Sequence, residues 1–143
     1  MNRVIIGAVY SGNIHLIQRL FNEGYDINEV DLAGRTALHI AAKLGRFEAV
    51  GALCACSKDA AFIEHKDGGG LTALHLAVRA ADTGIVRFLL RGGANAKTSD
   101  LLGVTALHDA VRLGSVKMID SLLKYGADMH VRDASSYTPL LRS

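Results

Sequence analysis

Thr36-Ala37-Leu38-His39 is a stretch of four residues that returns almost unchanged along this chain. It recurs as Thr72-Ala73-Leu74-His75 and as Thr105-Ala106-Leu107-His108, and a related stretch, Thr138-Pro139-Leu140-Leu141, stands near the end. By subtraction, the four threonines are 36, 33 and 33 residues apart. Self-similarity at a period of this length is typical of a solenoid, in which short structural units stack on one another.

The residues around each copy predict a turn followed by a helix. Asp31 and Gly34 precede the first copy, and these residue types favour tight turns. Thr36 is well placed to cap the helix, because its hydroxyl can accept a backbone N–H from the first helical turn. Leu38 and Ala42 then share one helical face, at the spacing of an amphipathic helix. The sequence therefore predicts that each unit begins with a turn and a short helix.

A second helix completes each unit. Val50 and Leu53 lie on its inner face in one unit, and Ile119 and Leu122 do so in another. Gly126 stands where a left-handed residue would end that helix. A single unit of this size cannot bury its apolar face alone, so neighbouring units must stack.

Composition excludes several classes of protein. Of 143 residues, 50% are hydrophobic and 21% are charged, and the net charge is +2. That balance is too apolar for a disordered chain and too weakly basic to predict a nucleic-acid partner. No stretch approaches the roughly 20 apolar residues of a membrane span, so we expect no membrane partner. Two cysteines, Cys54 and Cys56, cannot form a disulfide framework, which favours a cytoplasmic or nuclear protein.

The combined pattern Asp-x-x-Gly-x-Thr-Ala-Leu-His-x-Ala and Leu-Leu-x-x-Gly-Ala-Asp resembles the ankyrin repeat over nearly the whole chain. The resemblance implies an all-α solenoid of helix-turn-helix units with short β-hairpin fingers, whose concave side binds other proteins. The expected organisation is a single ankyrin-repeat domain over 1–143. Its repeats would cover 1–30, 31–66, 67–99 and 100–132, with a partial fifth repeat at 133–143.

The chain departs from this pattern in several places. The first unit lacks the finger, and the second carries three extra residues somewhere in Cys54–His65. The third has Ala81-Asp82-Thr83-Gly84 where a single glycine is expected between its helices. The run Gly68-Gly69-Gly70 predicts a soft turn. The unfinished fifth repeat favours a longer parent protein.

The resemblance also implies where a partner binds, because finger tips and the outward side of the first helices are free to vary in this family. The expected partner-binding residues are Tyr10, Lys43, Leu44, Arg79, Arg112 and Leu113 on the helices, and Arg35, Leu71, Leu101, Leu102 and Val104 on the fingers. Lys43, Arg79 and Arg112 would form a basic ladder with one residue per repeat. Beside the ladder, an exposed apolar cluster would be formed by Leu101, Leu102, Val104 and Leu113.

Each feature has an alternative interpretation. Lysine and arginine are common on any protein surface, so the ladder could arise by chance. The apolar finger could instead pack against the rest of the fifth repeat. An exposed apolar patch rimmed by charge is typical of a protein interface, and it predicts a partner with an apolar and acidic surface.

Residues with catalytic or metal-binding potential are present but do not form a recognisable site. The histidines at one repeat position, among them His39, resemble the structural histidine of the family, and no metal-ligand spacing supports a metal. Cys54 falls at a packing position, and Gly68-Gly69-Gly70 lacks the lysine of a phosphate loop. We therefore expect no enzyme, no cofactor and no metal.

The sequence thus predicts a non-catalytic module that binds a protein partner through its concave face and finger tips. The alternative is a regulatory or targeting region of a larger multidomain enzyme, channel or signalling protein. Two further hypotheses are nucleic-acid binding through the basic ladder and a metal or redox sensor at Cys54 and Cys56. We expect a monomer, with self-association through Leu140 and Leu141 as a risk at an exposed end.

Overall fold

A computed structural model of the chain describes residues 4–57, 59–130, 132–133 and 138. Within them the chain forms nine helices joined by short turns. The helices are α1 (Val4–Ser11), α2 (Ile14–Asn22), α3 (Ala37–Leu44), α4 (Phe47–Cys56), α5 (Ala60–Ile63), α6 (Ala73–Arg79), α7 (Thr83–Arg91), α8 (Ala106–Leu113) and α9 (Val116–Lys124). The predicted all-α repeat architecture is confirmed.

The helices are arranged in two layers. The first helices of the units, α1, α3, α6 and α8, pack side by side in order, and α2, α4, α7 and α9 form the second layer. Each first helix also packs against the second helix that follows it. Ala41, Ala77 and Ala110 are fully buried between the layers. Their small side chains allow the helices to approach closely, and the layers bury the apolar faces that no single unit could cover.

The second unit contains an additional one-turn helix, α5. Asp59 caps it, because its side chain accepts a hydrogen bond from the N–H of Ala61. Phe62 anchors it in the core. The stretch in which three extra residues were expected therefore contains this short helix, and α4 ends at Cys56 before it begins.

The turn between the two helices of a unit requires a left-handed residue. In three units this left-handed position is occupied by a glycine: Gly12 with φ of 75°, Gly45 with φ of 71° and Gly114 with φ of 71°. In the third unit it is occupied by Ala81, with φ of 59°. Asp82 then caps α7 by accepting the N–H of Ile85. The turn whose sequence looked irregular therefore keeps the common geometry, with an alanine in a glycine position.

Replacing Ala81 by glycine should stabilise the protein. An alanine in the left-handed region suffers a steric penalty of about 1–2 kcal/mol that glycine avoids, and part of this gain is offset by the greater freedom of glycine in the unfolded chain. We expect Ala81→Gly to raise the free energy of unfolding by about 1 kcal/mol in urea titrations. Ala80→Gly is the matched control. Ala80 has right-handed helical angles, so replacing it by glycine should lower the free energy of unfolding.

The fingers that precede α3, α6 and α8 are hairpin-like turns with little strand character. Among the described residues the only β-bridge outside helices joins Ser99 and Thr105. No helix in the described part of the chain is both long and apolar enough to cross a membrane. The proposed self-association through Leu140 and Leu141 falls outside the described residues, as does most of the partial fifth repeat.

Candidate protein-binding surface

Each finger is organised by the aspartate at its start. The carboxylate of Asp100 accepts the backbone N–H groups of Leu102 and Val104, both within 2.9 Å. Asp67 and Asp31 make the same pairs of bonds in their own fingers. Arg35 closes the first of these fingers by an ion pair with Asp31 at 3.1 Å. The finger tips are therefore fixed by local hydrogen bonds and offer preformed positions for their side chains.

The charge state of Asp31 is favourable to this role. Burial raises the pKa of Asp31, but hydrogen bonds from the N–H groups of Arg35 and Ala33, together with the Arg35 charge, outweigh burial and leave the pKa below its ordinary value. The carboxylate therefore stays ionised as an acceptor near neutral pH.

The repeated histidine joins one unit to the next. Thr36 donates its N–H to Nδ1 of His39 at 3.2 Å, so Nδ1 is unprotonated and Nε2 carries the hydrogen. That Nε2–H donates to the carbonyl of Leu71 in the following finger at 2.8 Å. His75 donates to the carbonyl of Val104 in the same way at 3.3 Å. The structural role that the resemblance implied for these histidines is thus visible in their hydrogen bonds.

Stability should decrease in mild acid because of these histidines. Burial lowers the pKa of His39 and of His75 below 6.5, against a smaller opposing effect of the hydrogen-bonded carbonyls and nearby carboxylates. Below about pH 6.5 the unfolded chain binds protons that the folded chain does not, so the folded state loses stability as pH falls. Urea titrations between about pH 7 and pH 5 should show this decrease. His75→Gln should flatten this pH dependence of the free energy of unfolding.

The apolar finger predicted near residue 101 is exposed at its tip. Leu101 is 75% exposed and Leu102 is 64% exposed. Val104 is only 8% exposed, so its expected place among the exposed residues is wrong. It points inward because it follows the turn and leads directly into α8. Leu71, the equivalent residue of the preceding finger, is half-buried.

The three residues of the predicted basic ladder lie near the C-terminal ends of the first helices. Two of them, Arg79 and Arg112, form ion pairs with aspartates. Arg79 donates Nε to Oδ2 of Asp109 at 2.9 Å, and Arg112 donates an Nη to Oδ1 of the same carboxylate at 2.9 Å. Arg79 also approaches Asp100 at 3.5 Å. The charges of Arg79 and Arg112 are therefore offset by Asp109 and Asp100, a pairing that the sequence prediction did not include. Lys43 lies exposed at the end of α3.

Asp109 is the residue that sequence reasoning missed. It is only 3% exposed, and it occupies the position that Ile40 and Leu76 fill in the preceding units. A carboxylate where the repeat otherwise places an apolar residue was a readable signal, because a buried charge needs a partner. Its two arginines come from α6 and α8, so the interaction joins neighbouring units.

The charged network and the exposed finger lie next to each other. A pocket of about 200 Å³ is lined by Arg79, Asp100, Leu102, Val104, His108, Asp109 and Arg112. The remaining predicted residues, Tyr10, Leu44 and Leu113, are each about half exposed at the ends of the first helices. The surface thus combines exposed apolar groups with a pocket that contains both charged and apolar side chains, as protein interfaces do.

Both cysteines, Cys54 and Cys56, lie in α4. Both are partly buried and form no disulfide. Burial raises the pKa of the Cys56 thiol, which disfavours the reactive thiolate. Within the described residues no group of three or more His, Cys, Asp or Glu side chains could hold a metal ion.

Stacked helix pairs, left-handed turns and aspartate-organised fingers define a repeat solenoid. A family profile described as "Ankyrin repeats (3 copies)" matches residues 5–100 and 58–133. The chain belongs to the ankyrin-repeat family, whose repeats generally act as protein-interaction modules.

Relatives of known name are much longer than this chain. It is 33% identical to the nuclear factor NF-kappa-B p105 subunit of Rattus norvegicus over 93 residues, which is 65% of this chain and 10% of that protein. It is 42% identical to neurogenic locus notch homolog protein 1 of Mus musculus over 67 residues, 47% of this chain and 2% of that protein. It is 35% identical to alpha-latroinsectotoxin-Lt1a of Latrodectus tredecimguttatus over 101 residues, 69% of this chain and 7% of that protein.

Proposed function

We propose that this chain is a non-catalytic module that binds a protein partner through its finger tips and the exposed ends of its first helices. The observation that carries the proposal is the exposed pair Leu101 and Leu102. These side chains remain exposed on a turn that Asp100 holds in place, beside the pocket formed by Arg79, Asp109 and Arg112. Preformed apolar groups rimmed by polar ones bind with little loss of conformational entropy.

The partner should present an apolar segment to the leucines. Asp109 and Asp100 form ion pairs with Arg79 and Arg112. The helical part of this surface therefore carries both positive and negative groups. An acidic surface of the partner would therefore contact Lys43. The pocket beside the finger, which contains both arginines and aspartates, would accept either an acidic or a basic side chain of the partner. The binding roles of Tyr10, Leu44, Leu113, Arg35 and Leu71 belong to the same proposal.

The experiment is an affinity capture with matched variants. Leu101→Ser/Leu102→Ser removes the apolar tip, and Val116→Ser removes an equally exposed apolar side chain at the start of α9. A partner retained by the wild type and the Val116 variant but lost by the double variant would support the proposal. Equal retention by all three would exclude the finger tip as the binding site. Circular dichroism melts confirm that each variant folds.

A second proposal is that the chain acts as a regulatory or targeting region within a larger protein. It is supported by the lengths of its relatives, of which it spans about a tenth or less. The full reading frame of its transcript tests this directly. We also propose that the module is a monomer of the cytoplasm or nucleus. The location is supported by its two cysteines, which form no disulfide, and by its similarity to a protein named as a nuclear factor.

A further inference from the structure

A second charged surface lies in the layer of second helices, away from the fingers. A groove of about 310 Å³ runs between α7 and α9. Its lining includes four basic side chains and one acidic side chain: Arg87, Arg91, Lys117, Lys124 and Asp120. In the part of the chain that the structure describes, no carboxylate forms an ion pair with any of the four basic groups. The groove therefore retains a positive charge that the fold does not neutralise.

The basic groups are distributed along the groove and do not converge on one point. Arg87 and Arg91 are one turn apart on α7, and Lys117 and Lys124 are two turns apart on α9, or about 10 Å along the helix. Ser121 forms part of the floor, where its hydroxyl accepts from Nε of Arg87 at 3.4 Å. Such spacing suits an extended ligand with several negative charges better than a single small anion.

Asp120 indicates what kind of polyanion fits. It is exposed and lies between Lys117 and Lys124 in α9, so any ligand that spans the groove must pass this negative charge. A nucleic-acid backbone carries a phosphate at every step and would be repelled there. A polypeptide can carry carboxylates on both sides of a neutral or basic residue, which complements the groove at each point.

We propose that this groove, formed by Arg87, Arg91, Lys117 and Lys124, is a docking site for an acidic protein segment with carboxylates at both ends and a neutral or basic residue at its centre. The site does not depend on the fingers or the concave face. The module would then have two independent surfaces, one mainly apolar and one electrostatic. An electrostatic site chiefly accelerates encounter and selects the partner.

Fluorescence anisotropy with a labelled peptide tests the proposal. The probe is about eight residues long, so that at about 3.3 Å per extended residue it spans the roughly 10 Å between Lys117 and Lys124 with residues to spare at each end. It carries Glu and Asp on both sides of one lysine. Lys117→Gln/Lys124→Gln should weaken its binding at least about tenfold. Arg19→Gln/Lys66→Gln removes the same charge at exposed positions elsewhere and should change the binding little. Binding should also weaken as salt is raised.

Three outcomes would overturn the proposal. The wild type could fail to bind the peptide at millimolar concentration. The two double variants could lose binding equally, which would reduce the effect to net charge. A single-stranded DNA of similar length could bind the wild type more tightly than the peptide and lose that affinity in Lys117→Gln/Lys124→Gln, which would make the groove a nucleic-acid site. Leu101→Ser/Leu102→Ser should leave peptide binding unchanged, so this test is separate from that of the finger tip.

Discussion

Replacing Arg79 and Arg112 together by alanine is expected to lower the free energy of unfolding by about 3 kcal/mol. Each arginine donates to one oxygen of Asp109 at 2.9 Å, and Asp109 itself is almost fully buried. Removing both leaves a buried carboxylate without its charged partners. The expected loss lies at the lower end of the range for broken buried ion pairs, because the adjoining pocket can admit water to the carboxylate.

Adding Asp109→Leu to that double variant should restore most of the stability. Leu76 occupies the equivalent position in the preceding unit, so the repeat already accommodates leucine there. Urea titrations of the double and triple variants measure the difference, and Lys43→Ala is the control for removing an exposed cation of the same ladder. If the triple variant were no more stable than the double variant, the buried charge would not be the cause of the loss.

This result bears on how the binding surface can be tested. Changing Arg79 and Arg112 to glutamate would place two new carboxylates beside Asp109 and Asp100. Loss of a partner by such a variant would follow from local unfolding as readily as from a lost contact. Lys43 and the exposed leucines of the finger are better positions, because no carboxylate depends on them.

The helix caps and turns of each repeat could be predicted from the sequence, because they depend on interactions between residues that are close together in the chain. Thr36 and His39 are three residues apart in one helical turn, and their reciprocal hydrogen bonds follow from that spacing. Gly45 and Gly126 end helices in the left-handed conformation, as glycine at those positions predicts. The exposure of Leu101 and Leu102 was one of two interpretations that the sequence left open, the other being packing against the fifth repeat.

The features that could not be predicted are contacts between residues of two different repeats, which come together only when the repeats stack. Arg79 and Asp109 are 30 residues apart, and only the stacking of α6 on α8 brings them together. The outer groove has the same origin, since α7 and α9 each contribute two basic residues. Val104 was misassigned because register alone does not say on which side of the finger a side chain emerges.

Gly70→Ala should cost about 3 kcal/mol of stability, and the cause can be separated into two parts. Gly70 has φ of +79°, which alone costs alanine about 1 kcal/mol. A Cβ at Gly70 would also lie 2.8 Å from the backbone nitrogen of Leu101, in the next finger. That contact cannot be relieved by a rotamer change, because the nearest atom belongs to the backbone. The N–H of Leu101 is also tied to the carbonyl of Gly69 at 3.1 Å.

Gly114→Ala is the matched control for the backbone angle. Its φ is +71°, close to that of Gly70, and a Cβ there would meet no atom within 4 Å. It should therefore cost only about 1 kcal/mol in the same urea titrations. The remaining difference of about 2 kcal/mol between the two variants would measure the energetic cost of the steric overlap between the two adjacent fingers. Equal losses in the two variants would mean that the finger moves aside at little cost, in which case the glycine run makes it soft and Leu101 is not held in a preformed position. A threefold larger loss for Gly70→Ala would show that the same glycines let the fingers pack closely and hold the apolar tip in place.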